Sequence, residues 1–295
     1  MAFFNLTKIG QIFGTDQPAY YPWVVDMRNN ATFPYDWAMY ASTDHKGDNG
    51  GIYLYVANGD PSNPTNWITY DQAVVAGGFD SYSTKPVANP IYNDENYTEG
   101  IECETPCVNV ISGVFYLTYQ VAMVNLSGKR TGEQKTCLAT SIDGVNFSRY
   151  TDHTSGVSAV VLNPDGAHHT GYFRWGVNKF SGISYFYIGY ALFKGSTNSI
   201  LALYGSNNAI NWDMVQFVNM DNIALGLPVG YEIKWVEIDP RSVQELPSGD
   251  YVALATAGTA AAGSVDRNTK TVELIIDNSG TLIKRCARVV IDNEL

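Results

Sequence analysis

The sequence lacks what several large protein classes require. Lys and Arg number 18 against 29 Asp and Glu, no basic cluster occurs, and the formal net charge is −11. A nucleic-acid binder needs a basic face to neutralise phosphates. Nucleic acid is therefore excluded as a partner, and an anionic membrane surface is disfavoured by the same charge. No apolar run reaches the ~20 residues that a membrane helix needs. The stretch Met1-Ala2-Phe3-Phe4-Asn5-Leu6-Thr7-Lys8 has no basic leader followed by a long apolar segment. This predicts a chain without a signal peptide, cytoplasmic or carried on a virus particle. Cysteine is scarce: Cys103, Cys107, Cys137 and Cys286 fit no CxxC metal spacing and are too few for a disulfide scaffold. They read as buried free thiols. The phosphate loops GxGxxG and GxxxxGK[ST] and the GxSxG elbow are missing, so no nucleotide cofactor is expected. Helical periodicity is also rare; few segments hold an apolar 3.6-residue repeat for three turns.

What is present is strand signal. Aromatic residues make up 13% of the chain and Tyr alone numbers 20. β-Branched and aromatic runs of five to eight residues recur between Gly, Asn, Asp and Pro. They group in fours. Strands are expected at 20–25, 37–42, 52–57 and 67–70; at 104–110, 114–120, 136–141 and 146–150; at 171–177, 184–191, 200–204 and 212–217; and at 231–238, 251–256, 271–276 and 282–291.

A turn motif recurs with these groups. Ser141-Ile142-Asp143-Gly144-Val145-Asn146-Phe147 is repeated as Ser206-Asn207-Asn208-Ala209-Ile210-Asn211-Trp212. Asp277-Asn278-Ser279-Gly280 is a weaker copy, and Asn58-Gly59-Asp60, ending at Trp67, an expanded one. One turn and one aromatic anchor per period of several tens of residues marks a solenoid or propeller. No linker or low-complexity run breaks the chain, so 1–295 reads as a single all-β propeller domain. Four units are visible. The strand-like stretch 3–13, able to close the ring against the C-terminal strands, and a further degenerate element within 76–100 favour five blades, with four as the alternative.

In a propeller the inner strands begin around one end of a central cavity. Here those beginnings are Tyr20-Tyr21-Pro22-Trp23, Glu102-Cys103-Glu104-Thr105-Pro106, His168-His169-Thr170-Gly171-Tyr172-Phe173-Arg174 and Tyr231-Glu232-Ile233-Lys234-Trp235-Val236-Glu237. They would bring carboxylates, imidazoles, a guanidinium and aromatic rings to one depression. Adjacent strand residues point to opposite faces, so only one of His168 and His169 can line it. Glu232 and Lys234 share a face that Glu237 does not. Asp44, His45 and Asp48 lie in a polar loop that needs no metal, although a structural Ca²⁺ or Na⁺ in the channel is compatible with the fold.

The run Glu104-Thr105-Pro106-Cys107-Val108, then Gly113-Val114-Phe115-Tyr116-Leu117-Thr118-Tyr119, then Cys137-Leu138-Ala139-Thr140-Ser141-Ile142-Asp143-Gly144-Val145-Asn146-Phe147 resembles a blade of the five-bladed propeller glycoside hydrolases, which include arabinanases, β-xylosidases and invertases. The resemblance is good in the second blade, moderate in the third and loose in the first and fourth. It implies a carbohydrate partner and carboxylates facing each other across a glycosidic bond, one protonating the leaving oxygen and another activating water or attacking the anomeric carbon. Glu104 matches the family's pocket acid. The family's Asp before the first inner-strand Pro is replaced by Tyr21, which leaves Asp26 or Asp16 as base and Glu232 as a third carboxylate. Tyr21, Trp23, His168, His169, Tyr172, Arg174 and Lys234 are the candidate substrate contacts, with Arg174 alternatively bridging to Glu104. The competing expectation is a propeller without turnover, binding glycan or serving as a structural part of a virus particle.

Overall fold

In a computed structural model the described residues are 3–4, 19–42, 50–94, 100–124, 130–151, 160–162, 169–194, 199–221, 235–258 and 269–292. The chain divides into two compact units, Ile9–Pro164 and Met1–Lys8 with Asp165–Leu295. Among the described residues each unit carries two antiparallel sheets, so the four-unit alternative matches.

In the 9–164 unit, the first sheet runs β1 (Tyr20–Asp26), β2 (Trp37–Ser42), β3 (Ile52–Ala57) and β4 (Trp67–Thr69) in sequence order. The second is built on β5 (Gly100–Ile111), β6 (Val114–Val124) and β7 (Arg130–Ser141), with the short β8 (Ser148–Arg149) and β9 (Val160–Leu162) both pairing with β7. Up-and-down order follows from the short turns between consecutive strands, which permit only antiparallel neighbours. The first sheet is apolar because its central strands are covered. Met39, Ala41, Tyr55, Ala57 and Trp67 form one buried cluster, and the Phe79 ring packs edge-on or tilted against Phe33, Tyr35, Tyr70 and Tyr82 at 5.1–5.9 Å.

One helix, α1 (Tyr70–Val75), follows β4, where the sequence reading extends a strand to residue 70. A capping box sets its start: Thr69 accepts from the Gln72 N–H while the Gln72 side chain accepts from the Thr69 N–H. Six residues are too few to display a helical period, so apolar patterning gives no warning of it. The segment expected to hide a further element, 76–100, forms turns as far as Asp94 and meets β3 through the Ile52–Tyr92 bridge and through Asn89, whose side chain accepts from the Leu54 N–H and donates to the Leu54 carbonyl.

In the other unit, β10 (His169–Val177), β11 (Tyr187–Lys194), β12 (Ser199–Ser206) and β13 (Asp213–Phe217) pair in order. The last sheet pairs β14 (Trp235–Ile238) with β16 (Tyr251–Gly258), then β17 (Thr269–Ile276) and β18 (Ile283–Asp292), with β15 (Gln244–Glu245) alongside β16. The two sheets bury Ile188, Tyr190, Leu201 and Leu203 against Val236, Ile238, Ala253 and Leu274 in one core. Glu273, fully buried in β17, accepts from the Phe4 N–H at 2.9 Å and pairs with Arg288 at 2.9 Å. Residues 3 and 4 are therefore fastened to the last sheet; residues 5–18, which hold the rest of the expected closing strand, lie outside the described residues.

The recurring turn has the same wiring in both units. Ser141 Oγ accepts from the N–H groups of Asp143 and Gly144, and Asp143 Oδ1 accepts from those of Val145 and Asn146. Ser206 and Asn208 repeat this with the N–H groups of Asn208, Ala209, Ile210 and Asn211. A short polar side chain at each site replaces the backbone partners that a tight turn cannot supply. Gly144 is required: its φ is 79° and a Cβ there would lie 2.6 Å from the Phe115 ring.

Candidate active site

Three inner strands break in the same way near their beginnings. In β1 the pairing jumps from Tyr20–Ser42 to Trp23–Tyr40, in β5 from Glu104–Gln120 to Cys107–Thr118, and in β10 from Gly171–Leu192 to Arg174–Tyr190. Each is a bulge in which two residues oppose one. Its first residue is left-handed: Tyr21 at φ 52°, Thr105 at φ 52° and Tyr172 at φ 53°. The second is Pro22, Pro106 or Phe173. Proline suits this place because a bulge leaves an N–H without a ladder partner. Bulges re-aim side chains and interrupt pairing, and they concentrate beside functional sites.

In the 9–164 unit the two bulges are joined. Ser42 Oγ donates to the Tyr20 carbonyl and accepts from the Thr105 N–H, each at 3.3 Å. Farther along, the Trp23 indole N–H donates to the Val108 carbonyl at 2.7 Å. Glu104 stands at the second bulge, 2% exposed, and its Oε1 accepts from Gln120 Nε2 at 2.8 Å. Burying a carboxylate costs several kcal/mol unless donors reach it. The cross-strand amide therefore both compensates the burial of Glu104 and fixes its rotamer. The strand expected to start at residue 104 begins earlier, at Gly100, so Glu104 lies within β5 beside the bulge, with Gln120 as its cross-strand neighbour.

The other candidates are distributed differently. Tyr21 is half-buried at the first bulge. Trp23 is buried and spends its N–H on the β5 backbone, so it joins two sheets. Asp26 is the last residue of β1, about 20 Å along the strand from Tyr20. It is exposed and clamped by Arg28, through Nε at 2.9 Å and Nη2 at 2.6 Å. That hydrogen-bonded guanidinium holds the Asp26 carboxyl below its ordinary range, and Arg28 in turn lies 4.7 Å over the Trp37 ring. The structure does not bring Asp26 to Glu104. Asp16, His168, Glu232, Lys234 and the loop residues Asp44, His45 and Asp48 lie outside the described residues, and His169 opens β10.

In the other unit Tyr172 is half-buried at its bulge, and the next inward residue, Arg174, is nearly buried. Arg174 Nε lies 3.7 Å from Glu237 Oε2, with the two side chains 7% and 12% exposed. Glu237 is thus the carboxylate that β14 turns toward Arg174. Sequence reading set it aside because alternation put it on the face opposite Glu232. A lone Arg on an otherwise apolar strand was the available signal, since such a charge needs an acid nearby.

A second cluster has no sequence signal at all. Asp94, buried in the turn before β5, accepts from Tyr119 Oη at 2.6 Å and from Arg149 Nε at 2.9 Å, and Tyr92 Oη meets Tyr119 Oη at 3.0 Å. Burial drives the Tyr92 and Tyr119 phenols far above their ordinary range. With its oxygens taken up by a guanidinium and a phenol, Asp94 holds the turn against β6 and β8. All four cysteines are buried and free, as expected. Among the described residues no three His, Cys, Asp or Glu side chains gather as metal ligands.

Comparison with solved structures decides the fold. A glycoside hydrolase candidate from Parabacteroides distasonis ATCC 8503 is 13% identical, with 94% of this chain and 75% of that one covered and a TM-score of 0.53. The endo-arabinase from Bacteroides thetaiotaomicron VPI-5482 is 10% identical, with 95% of this chain and 82% of that one covered and a TM-score of 0.50. The fold is a β-propeller. No family model matches the chain, and no curated protein matches it in sequence. No described helix is long and apolar enough to cross a membrane.

Proposed function

We propose that this propeller cleaves a glycosidic bond, with Glu104 as the general acid. One observation carries the reading: a buried carboxylate at the bulge of an inner strand, its orientation fixed by Gln120 at 2.8 Å. A protonated Glu104 would deliver its proton to the leaving oxygen while a second carboxylate activates water or attacks the anomeric carbon. Asp26 is engaged by Arg28 at the far end of β1, so that second group is assigned to Asp16. Tyr21, half-buried beside its bulge, offers a ring face for the apolar side of a sugar. The solved neighbours named above as glycoside hydrolase and endo-arabinase support carbohydrate as the substrate class.

The test is release of reducing sugar from arabinan, xylan, levan and mannan by the purified protein and by Glu104→Gln. Turnover that falls by about a thousandfold or more in the variant supports the assignment. Turnover that survives the substitution overturns it. Binding without turnover in the wild type establishes the glycan-binding alternative, which the first blade favours by placing Tyr20-Tyr21 where the second places Glu104-Thr105.

A further inference from the structure

Thr105 bears two costs at once. Its φ of 52° is the left-handed conformation that a β-branched side chain resists. It is also 2% exposed, and among the described residues its Oγ1 has no hydrogen-bond partner although its own N–H donates to Ser42. A glycine would remove both costs while keeping the bulge. A strained residue and an unsatisfied buried hydroxyl usually persist where the site uses them.

The chain position of Thr105 says what that use is. It follows Glu104 directly and is buried to the same degree. The bulge interrupts the alternation that would otherwise send neighbouring side chains to opposite faces. Resting on the glycosidase reading, we propose that Thr105 is a substrate-contacting residue: its Oγ1 is held without a protein partner so that it can hydrogen-bond a hydroxyl of the sugar whose glycosidic oxygen meets Glu104. Sugar hydroxyls both donate and accept, as threonine does, and a site hydroxyl left unpaired without substrate rejects analogues that cannot complete the bond.

Three substitutions test this. Thr105→Val keeps shape and strain but deletes the hydroxyl, Thr105→Ser keeps the hydroxyl, and Thr105→Gly deletes hydroxyl and strain together. Affinity is measured by titration calorimetry with arabinotriose, xylotriose, kestose and mannotriose, beside thermal unfolding of the free proteins. For whichever trisaccharide the wild type binds, Thr105→Val and Thr105→Gly should weaken binding about tenfold, with Thr105→Ser within about twofold. Without sugar, Thr105→Val should unfold no lower than the wild type, and Thr105→Gly about 2 °C or more higher. Binding by Thr105→Val equal to the wild type overturns the inference while leaving the glycosidase reading intact. A wild type that binds none of the four overturns that reading and this one with it. A Thr105→Val protein that unfolds several degrees lower means the hydroxyl serves the fold, and that also overturns the inference.

Discussion

The hydroxyl of Tyr40 donates to the carbonyl oxygen of Gly144 at 2.9 Å, tying β2 of one blade to the turn beyond β7 of the next. Tyr190 does the same to Gly280, at 3.0 Å, within the other unit. Tyr40 and Tyr190 each face the residue that ends a bulge, Trp23 and Arg174. One blade-to-blade fastening is thus used twice. Burial pushes both phenols well above their ordinary range, so they remain donors at any working pH. Tyr40→Phe and Tyr190→Phe should each lower stability by about 1–3 kcal/mol, because a buried carbonyl is left unpaired. Urea unfolding measures this; a loss below about 0.3 kcal/mol in both would refute the fastening role.

Acid should loosen the recurring turn. Asp143 is partly buried, which raises its pKa, but hydrogen bonds from the Asn146 side chain, the Asn146 and Val145 N–H groups and Ser141 outweigh this and leave it lowered overall. A carboxylate whose pKa is lowered on folding adds stability above its unfolded value near 3.8, and that contribution is lost as pH falls through the folded value. Asp143→Asn keeps an acceptor oxygen, as Asn208 does in the second copy, but cannot titrate. Melting temperature followed from pH 7 down to pH 3 should therefore fall less steeply in the variant. Parallel curves would show that the ionised form of Asp143 adds nothing.

Arg174 and Glu237 should behave as a pair. Removing one partner leaves the other charge buried, which costs about 3–5 kcal/mol, whereas replacing both by apolar residues of similar size costs less. Arg174→Met and Glu237→Leu are expected to destabilise singly and to recover much of the loss when combined. Strict additivity in a double-mutant cycle would mean that the 3.7 Å separation carries no coupling.

The thiols should be inert in the native state. Burial raises Cys137 to about 12 and Cys286 to about 11, and raises Cys103 well above its ordinary value. At pH 8 no thiol should react promptly with Ellman's reagent, and four should react in guanidinium chloride. A thiol titrated within seconds in the folded protein would contradict this burial.

How much was legible in the sequence differs by kind of feature. The strand from 52 to 57 and the turn at Ser141–Asn146 could be read because their causes are local: alternation, β-branching and polar side chains that bond their own backbone. Glu104 was legible because Pro106 and the following Gly-x-Tyr-like run fixed its place on a strand. The α1 helix was not, being shorter than two turns.

What the sequence determined by itself was the repeating all-β plan and the strand that carries Glu104, since both follow from short-range rules of pleat and turn. Only the tertiary structure decided that Gln120 holds Glu104, that Glu237 meets Arg174, and that Arg28 engages Asp26. These pairings depend on register, and a bulge that slips one strand by one residue changes which side chains meet. No run of residues along the chain records that slip; it exists only once two strands are paired.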